Sequence, residues 1–369
     1  LRQFFALPWV QRGTPELLLI KRAVRANDNW SSHVAFPGGR RDEEDENGLY
    51  TSMRETWEEV GIDLAEKEFL HVGHLEDREI TSSLGKRLLM ILSPYIFLHL
   101  SPFSPTPSLQ PSEVSSLHWV PLSQLFTPTP RWGTLHMDVA RHMPQNSYMR
   151  SMLSMLIGQI TFRSIQLPNT PTAITMAMAR DHFAHLAKPP PAKEAEEEED
   201  TFLLNAEQQA YLGQVTPRLQ LWGLTLGMTL DLLSHMSTYQ REKPPPEPPT
   251  IHALKSLFSI LPSSRLFGDA YSAPAKAPSV VEVFPRFGYP DINLWLWVFG
   301  WRYRAILRKW RQSIGTELER QAHWSGLAIA AFYSCVRRAL IVALVLRAMG
   351  LVSLVSLGGY LGWRRLYRL

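Results

Sequence analysis

The sequence predicts an α/β fold followed by a helical tail that is both basic and apolar, and three observations predict it. Short β-rich apolar runs surround one acidic helix in the first part of the chain. A strand-then-helix pattern returns near residue 219, and the composition changes past a Pro-rich tract at Arg241–Thr250. The 369 residues leave room for two domains. The net charge of +4 is mild but unevenly spread, with acids gathered at residues 42–59 and 194–200 and bases in the last eighty or so. A single cysteine, Cys335, excludes an intrachain disulfide framework and fits a reducing compartment or a membrane setting. The chain opens on Leu1 rather than Met, and the expectation is of a natural N-terminus further upstream.

In chain order, Leu17–Ile20 reads as a short buried strand and Arg25–Trp30 as a polar turn. His33–Phe36 leads into Pro37-Gly38-Gly39, glycines that let the backbone turn sharply and approach a ligand closely. A charged loop follows to about Asn47, then a helix that stops at Gly61, a residue suited to a left-handed C-terminal position. Phe69–Leu75 and Leu88–Leu100 read as strands, Ser101–Pro111 as a Pro/Ser loop and Glu113–Leu122 as a further strand. From Arg131 to Lys188 the pattern is weak. Lys188–Asp200 is low-complexity and acidic, the signature of a solvated insert. Leu219–Leu233 reads as a strand running into a helix.

The chemistry concentrates on the acidic helix. Glu55, Glu58 and Glu59 stand at i, i+3 and i+4, so their carboxylates share one face. Like charges so crowded repel, although a solvated surface helix can show the same spacing. A divalent cation reverses the sign of that repulsion, because Mg²⁺ and Mn²⁺ take oxygen ligands and keep waters for substrate phosphates.

Gly39, Glu46, Arg54, Glu55, Glu58, Glu59, Gly61 and Ile62 together resemble the Nudix box. The match departs in two places, one extra residue between Gly39 and Glu46 and Thr56 where an aliphatic residue is usual. Both departures resemble the branch that includes coenzyme A diphosphatases, whose box also follows Phe-Pro-Gly-Gly and reads Arg-Glu-Thr. That branch has an Arg and a Gly upstream where Asp28 and Ser32 stand here. The resemblance implies an α/β/α sandwich with a mixed sheet and a metal-dependent hydrolase of nucleoside diphosphates linked to another group. Coenzyme A or acyl-coenzyme A, cut to 3′,5′-ADP and a phosphopantetheine, is the expected substrate. Alternatives are NADH, ADP-ribose or an oxidised nucleotide, or a non-catalytic, membrane-anchored nucleotide-binding protein. It also implies that Glu55, Glu58 and Glu59, with the Gly39 carbonyl, hold Mg²⁺ or Mn²⁺, and that Phe36, Gly38 and Gly39 line the substrate. Arg54 would be structural, paired with loop carboxylates, Glu46 the obvious partner. Glu113 would add a ligand or base, with Glu58, Glu59 and Glu113 the contenders for the base; His118 is expected to pack.

On the same resemblance the Nudix domain runs over 1–236, interrupted at about 188–200. A Pro-rich linker over 237–290 and a tail over 291–369 follow. In the tail, Ile292–Gly300 is Trp-rich, and Arg302, Arg304, Arg308, Lys309 and Arg311 come next among aromatics. That mixture suits a bilayer interface, and the flanking apolar runs speak against nucleic acid. Residues 339–363 are a candidate transmembrane helix, roughly the ~20 residues a span needs. Only Arg347 interrupts it, at about 2.5–3.5 kcal/mol if central. The expected setting is intracellular and membrane-associated, mitochondrial or peroxisomal; the ending Tyr367-Arg368-Leu369 is no peroxisomal Ser-Lys-Leu.

Overall fold

Leu19 and Ile20 are adjacent in sequence and both fully buried, so strand β1 (Glu16–Arg22) must be covered on both faces. The computed structural model, which describes residues 1–25, 31–81, 88–126, 130–138, 155–183, 200–236, 283–313 and 324–367, shows by what. Two short helices, α1 (Arg2–Phe5) and α2 (Pro8–Arg12), precede β1. β1 lies between β2 (Val34–Ala35) and β7 (Val114–Pro121), with Leu19 opposite His118. The sheet continues through β10 (Ala173–Thr175) to β11 (Thr201–Leu203).

Ile20 faces the acidic helix α3 (Gly48–Val60), packing with Val60, Ile62, Val114 and Leu117. Leu19 faces the other way, into a core with Ile165, Leu167, Leu221, Leu226 and Leu230. Those residues belong to β9 (Gln159–Leu167), β12 (Leu219–Trp222) and α6 (Gly223–Met236). The strand and helix expected at 219–233 therefore close the second layer. The weakly patterned region before them supplies β8 (Trp132–Asp138), β9, β10 and α4 (Met176–Phe183), with α5 (Ala206–Val215) beyond. β8 runs along one edge of β9, while β12 and β13 (Arg286–Phe287) share the other edge in succession. Every strand pairing among the described residues is antiparallel.

One element differs from expectation. The single strand at Leu88–Leu100 is two, β5 (Leu88–Leu92) and β6 (Tyr95–His99), which pair separately with β4 (Arg78–Thr81) and β3 (Phe69–His74). The break falls at Ser93-Pro94. Proline has no N–H to give a ladder, and its carbonyl here accepts from the Leu75 amide at 2.9 Å, turning the chain between hairpins. Arg78 of β4 is buried against Asp231 of α6 at 2.8 Å.

The linker expected over 237–290 lies outside the described residues as far as 282. From 283 the chain is docked: Val283 packs on the first core, and β13 pairs with β9. Asn293 fastens β13 to α7 (Pro290–Phe299), accepting from the Phe287 amide at 2.9 Å and donating to its carbonyl at 2.6 Å. α8 (Trp301–Ser313) and the 43-residue α9 (Trp324–Leu366) complete the chain. α7 lies antiparallel to α9, with Ile292 and Leu296 against Cys335, Ala339 and Ala343. The low-complexity tract up to residue 199 and the Arg241–Thr250 tract lie outside the described residues.

Candidate active site

Both ends of α3 are fixed by residues legible in the sequence. Asn47 caps the first turn, its Oδ1 accepting from the Tyr50 amide at 2.9 Å. Gly61 ends the helix at φ 70°, and a Cβ there would lie 2.7 Å from the Ser108 side chain, so glycine is required twice over. The loop beyond Ser108 then satisfies the last carbonyls, Ser108 N–H to Val60 O and Gln110 N–H to Glu59 O.

Arg54 organises the acids. Its Nε and Nη2 clasp the two oxygens of Asp45, each at 2.9 Å, while Nη1 reaches Glu58 at 2.9 Å and Nη2 reaches Glu55 at 3.1 Å. Nη2 also donates to the Arg40 carbonyl at 3.1 Å, tying the helix to the glycine loop. Arg54 is thus engaged with carboxylates, as the resemblance implied, but its loop partner is Asp45 and not Glu46. Glu46 is exposed, and its contribution is a backbone carbonyl that accepts from Arg41. Asp45 points inward because Thr51 Oγ1 and the Asp42 amide both donate to its Oδ2 at 2.9 Å. The Arg54 guanidinium holds the Asp45 carboxyl well below the usual range. The missed signal was spacing, since Asp45 stands one residue closer to Gly39 and removes the extra residue that Glu46 needs.

The other acids gather at the glycines. Glu59 is only 2 % exposed, and its Oε2 accepts from the Gly38 amide at 2.9 Å. Burial pushes its carboxyl up to about 7, with Glu55 and Glu113 adding to the rise and the Gly38 amide opposing it. Glu55 is raised too, first by burial, with Glu58 and Glu113 adding and Arg54 opposing. A Cβ on Gly39 would come within 2.2 Å of Glu55 Oε2, so only glycine admits that carboxylate. Glu113, just before β7, is close enough to raise both Glu55 and Glu59, while its own carboxylate meets Arg25 at 2.9 Å. Arg25, which the sequence did not single out, also donates to the Ser112 carbonyl at 2.7 Å.

Glu55 and Glu59 therefore converge on Gly38–Gly39, while Glu113 is held by Arg25 and Glu58 turns to Arg54. Among the described residues no three acids, histidines or cysteines already stand at coordinating distance; Glu55 and Glu58 are held by Arg54, Glu59 by the Gly38 amide and Glu113 by Arg25. The donor set nevertheless fits a hard dication. It is all oxygen, and Glu59 is raised first by burial and then by neighbours of its own charge, a rise that a cation would oppose.

Phe36 is half-buried on the core around Leu19. His118 packs, as expected. It is 1 % exposed, Ser116 Oγ lies 2.9 Å from its Nε2, and burial pushes its imidazole down to about 3. Ser32, at the place where the branch has glycine, keeps a glycine-like backbone with φ 63°. Asp28 lies outside the described residues.

Residues 2–139 match the NUDIX domain model, and they carry this loop, helix and Glu113; the chain contains a Nudix domain. Among similar proteins, an uncharacterized protein of Schizosaccharomyces pombe is 36% identical over 166 residues, 44% of this chain and 50% of that one. A peroxisomal coenzyme A diphosphatase of Caenorhabditis elegans is 36% identical over 97 residues, 26% of this chain and 38% of the relative. A mitochondrial coenzyme A diphosphatase of Mus musculus is 40% identical over 53 residues, covering 14% of this chain and 25% of the relative. The chain spans half or less of the length of these three relatives.

Proposed function

We propose that the domain hydrolyses the diphosphate of a nucleotide joined to a second group, and that coenzyme A or an acyl derivative is its substrate. The observation that carries the chemistry is the convergence of Glu55 and Glu59 on the glycine pair, Glu55 against Gly39 and Glu59 on the Gly38 amide. The choice of substrate is supported by the Phe-Pro-Gly-Gly and Arg-Glu-Thr sequence and by the names of two relatives. The products would be 3′,5′-ADP and an (acyl-)4′-phosphopantetheine.

Glu55, Glu59 and the Gly39 carbonyl, with Glu58 once it leaves Arg54, would hold Mg²⁺ or Mn²⁺. When bound, such a cation neutralises charge on the diphosphate and acidifies nearby water. Water's oxygen bonds to one phosphorus, the bridging P–O bond breaks, and the proton passes to a carboxylate. Glu113 is assigned that proton because it faces the helix acids without belonging to the helix. Arg54 and Asp45 keep the carboxylates aimed at the glycine loop, and Glu46 shapes that loop through its backbone. Gly38 and Gly39 let the diphosphate approach the main chain, with Phe36 packed beneath them. A cleavage panel over coenzyme A, acyl-coenzyme A, NADH, ADP-ribose and an oxidised nucleoside triphosphate, with products weighed by mass spectrometry, tests this. Coenzyme A cut at its diphosphate is expected; cleavage of NADH or ADP-ribose alone would move the substrate, and binding without cleavage would reduce the domain to a scaffold.

The tail is proposed to associate with a membrane. The support is that Gly326–Arg364 is a helix of 39 residues, long enough to cross a bilayer, whose most apolar stretch is almost entirely unburied. The organelle names borne by two relatives favour a mitochondrial or peroxisomal membrane.

A further inference from the structure

Helix α9 has two halves with different surroundings. Up to Ala343 it is part of the folded unit, with Phe332, Cys335, Ala339 and Ala343 buried against neighbouring elements. From 348 to 364 every residue is exposed, on all sides of the helix. Between the halves stands Arg347, whose Nε and Nη2 meet the two oxygens of Asp291 at 2.9 and 2.7 Å. Its Nη1 donates to the Leu156 carbonyl, and the guanidinium lies 4.3 Å from the Tyr289 ring centre. Arg347 is therefore fully engaged by residues outside α9 at the level where the helix leaves the fold.

We propose that a lipid bilayer takes residues 348–364, and that the Arg347–Asp291 pair lies at its headgroup level as a collar seating the folded unit on the membrane. The inference rests on the membrane reading of the tail and deepens it by saying which half enters and where the surface lies. Three observations select lipid. Residues 348–363 carry no charged group and at 1.5 Å each cover about 24 Å, about 6 Å short of a typical hydrocarbon core, a mismatch that snorkelling of the flanking arginines and local thinning absorb. Apolar exposure on every side, rather than along one stripe, is what a span shows and what a groove-bound helix does not. Tyr360, Trp363 and Tyr367 then stand with Arg364 at the far end, as rings and guanidinium groups do at a second interface. The first half cannot be the immersed one, because Arg337 and Arg338 are exposed on its surface about 15 Å before the collar. With the collar at the surface, Arg347 contributes no charge to the hydrocarbon.

The test places an environment-sensitive fluorophore on single cysteines replacing Leu327, Met349 or Val355 in the full chain. Cys335 is changed to Ala, or kept where that variant misfolds, since its thiol is buried. The protein is reconstituted in phosphatidylcholine vesicles with a minority of phosphatidylserine, and emission and collisional quenching are read. Residue 327 should report water, 349 a shallow site, and 355 a deep one with blue-shifted, several-fold brighter emission. A lipid-like signal at 327, or 355 no deeper than 349, overturns the placement while leaving membrane association standing. Protein that fails to float with vesicles, whether as monomer or as a discrete dimer covering its own apolar helix, overturns the membrane reading itself.

Discussion

Helix α3 hides carboxylates and helix α9 exposes leucines, so each reverses the usual division of a soluble protein, and each does so differently. In α3 the reversal is compensated within the protein: Arg54 pairs with four acids at once, and Gly38 donates to Glu59. In α9 nothing among the described residues compensates it, since no residue from 348 to 364 is covered. A buried charge with internal partners points to a site, and an apolar surface without any points to a different solvent.

The two regions should therefore fail independently, and the largest effects lie there. Glu59→Gln is expected to lower diphosphate hydrolysis at least about a hundred-fold, with a melting transition no lower than the wild type's and unchanged flotation on vesicles. A chain ending at Arg347 is expected to do the converse, losing flotation and keeping its turnover. Hydrolysis by the Glu59→Gln variant at the wild-type rate would remove the carboxylates from the chemistry; a floating truncated chain would move the membrane contact to α7 or α8. Next in size is the buried pair behind α6. Asp231→Ala leaves Arg78 charged in the core and should cost about 3–5 kcal/mol by denaturant unfolding, a loss set by burial alone.

Much of this comparison was legible in the sequence, and for a physical reason. Local rules fix α3: a capping Asn47, a left-handed Gly61 and acids at i, i+3 and i+4 all act within a turn or two. The apolar run of α9 is equally local. What sequence could not supply were the partners chosen at a distance. Asp45 and Glu46 are adjacent acids, and only the inward turn of the loop toward Thr51 decides which one Arg54 takes. Arg347 read as a flaw in a span because its partner, Asp291, lies 56 residues away. β8 and β9 stayed unread because their pairing crosses a long stretch of weak pattern, and Pro94 was overlooked inside a run apolar enough to pass for one strand.

Acid should distinguish the two helices as well. The Glu59 carboxyl is raised from its ordinary 4.5 to about 7, so between those values the folded state binds more protons than the unfolded one. Stability from this group falls as pH rises through that window and the whole penalty is present above 7, up to about 3 kcal/mol. With chelator present, the melting temperature of the wild type relative to Glu59→Gln should thus drop from pH 5 to pH 8. Added Mn²⁺ should reverse the drop, and a chain ending at Arg347 should show the same profile. His118 acts in the opposite sense, its imidazole held down to about 3, so the unfolded state gains the proton first below about 6.5 and destabilises the fold in stronger acid. A metal-free difference between wild type and Glu59→Gln that stays flat from pH 5 to 8 would mean that Glu59 is not desolvated.

The smallest effect tests a departure from the branch pattern. Ser32 is exposed and sits at φ 63°, where its Cβ crowds the following carbonyl. Ser32 thus holds a backbone shape that favours glycine, which implies that the turn into Phe36-Pro37-Gly38-Gly39 constrains this position. Ser32→Gly removes the crowding, at about 1–2 kcal/mol, but frees the unfolded chain by a further amount of opposite sign, about 0.5–1 kcal/mol. The net expectation is a gain of up to about 1 kcal/mol, read as a rise in the denaturant midpoint at constant slope. Hydrolysis should not change, because the glycine loop already holds the geometry that the substitution would favour. A fall in stability would show instead that the serine side chain makes a contact worth more than the strain it carries.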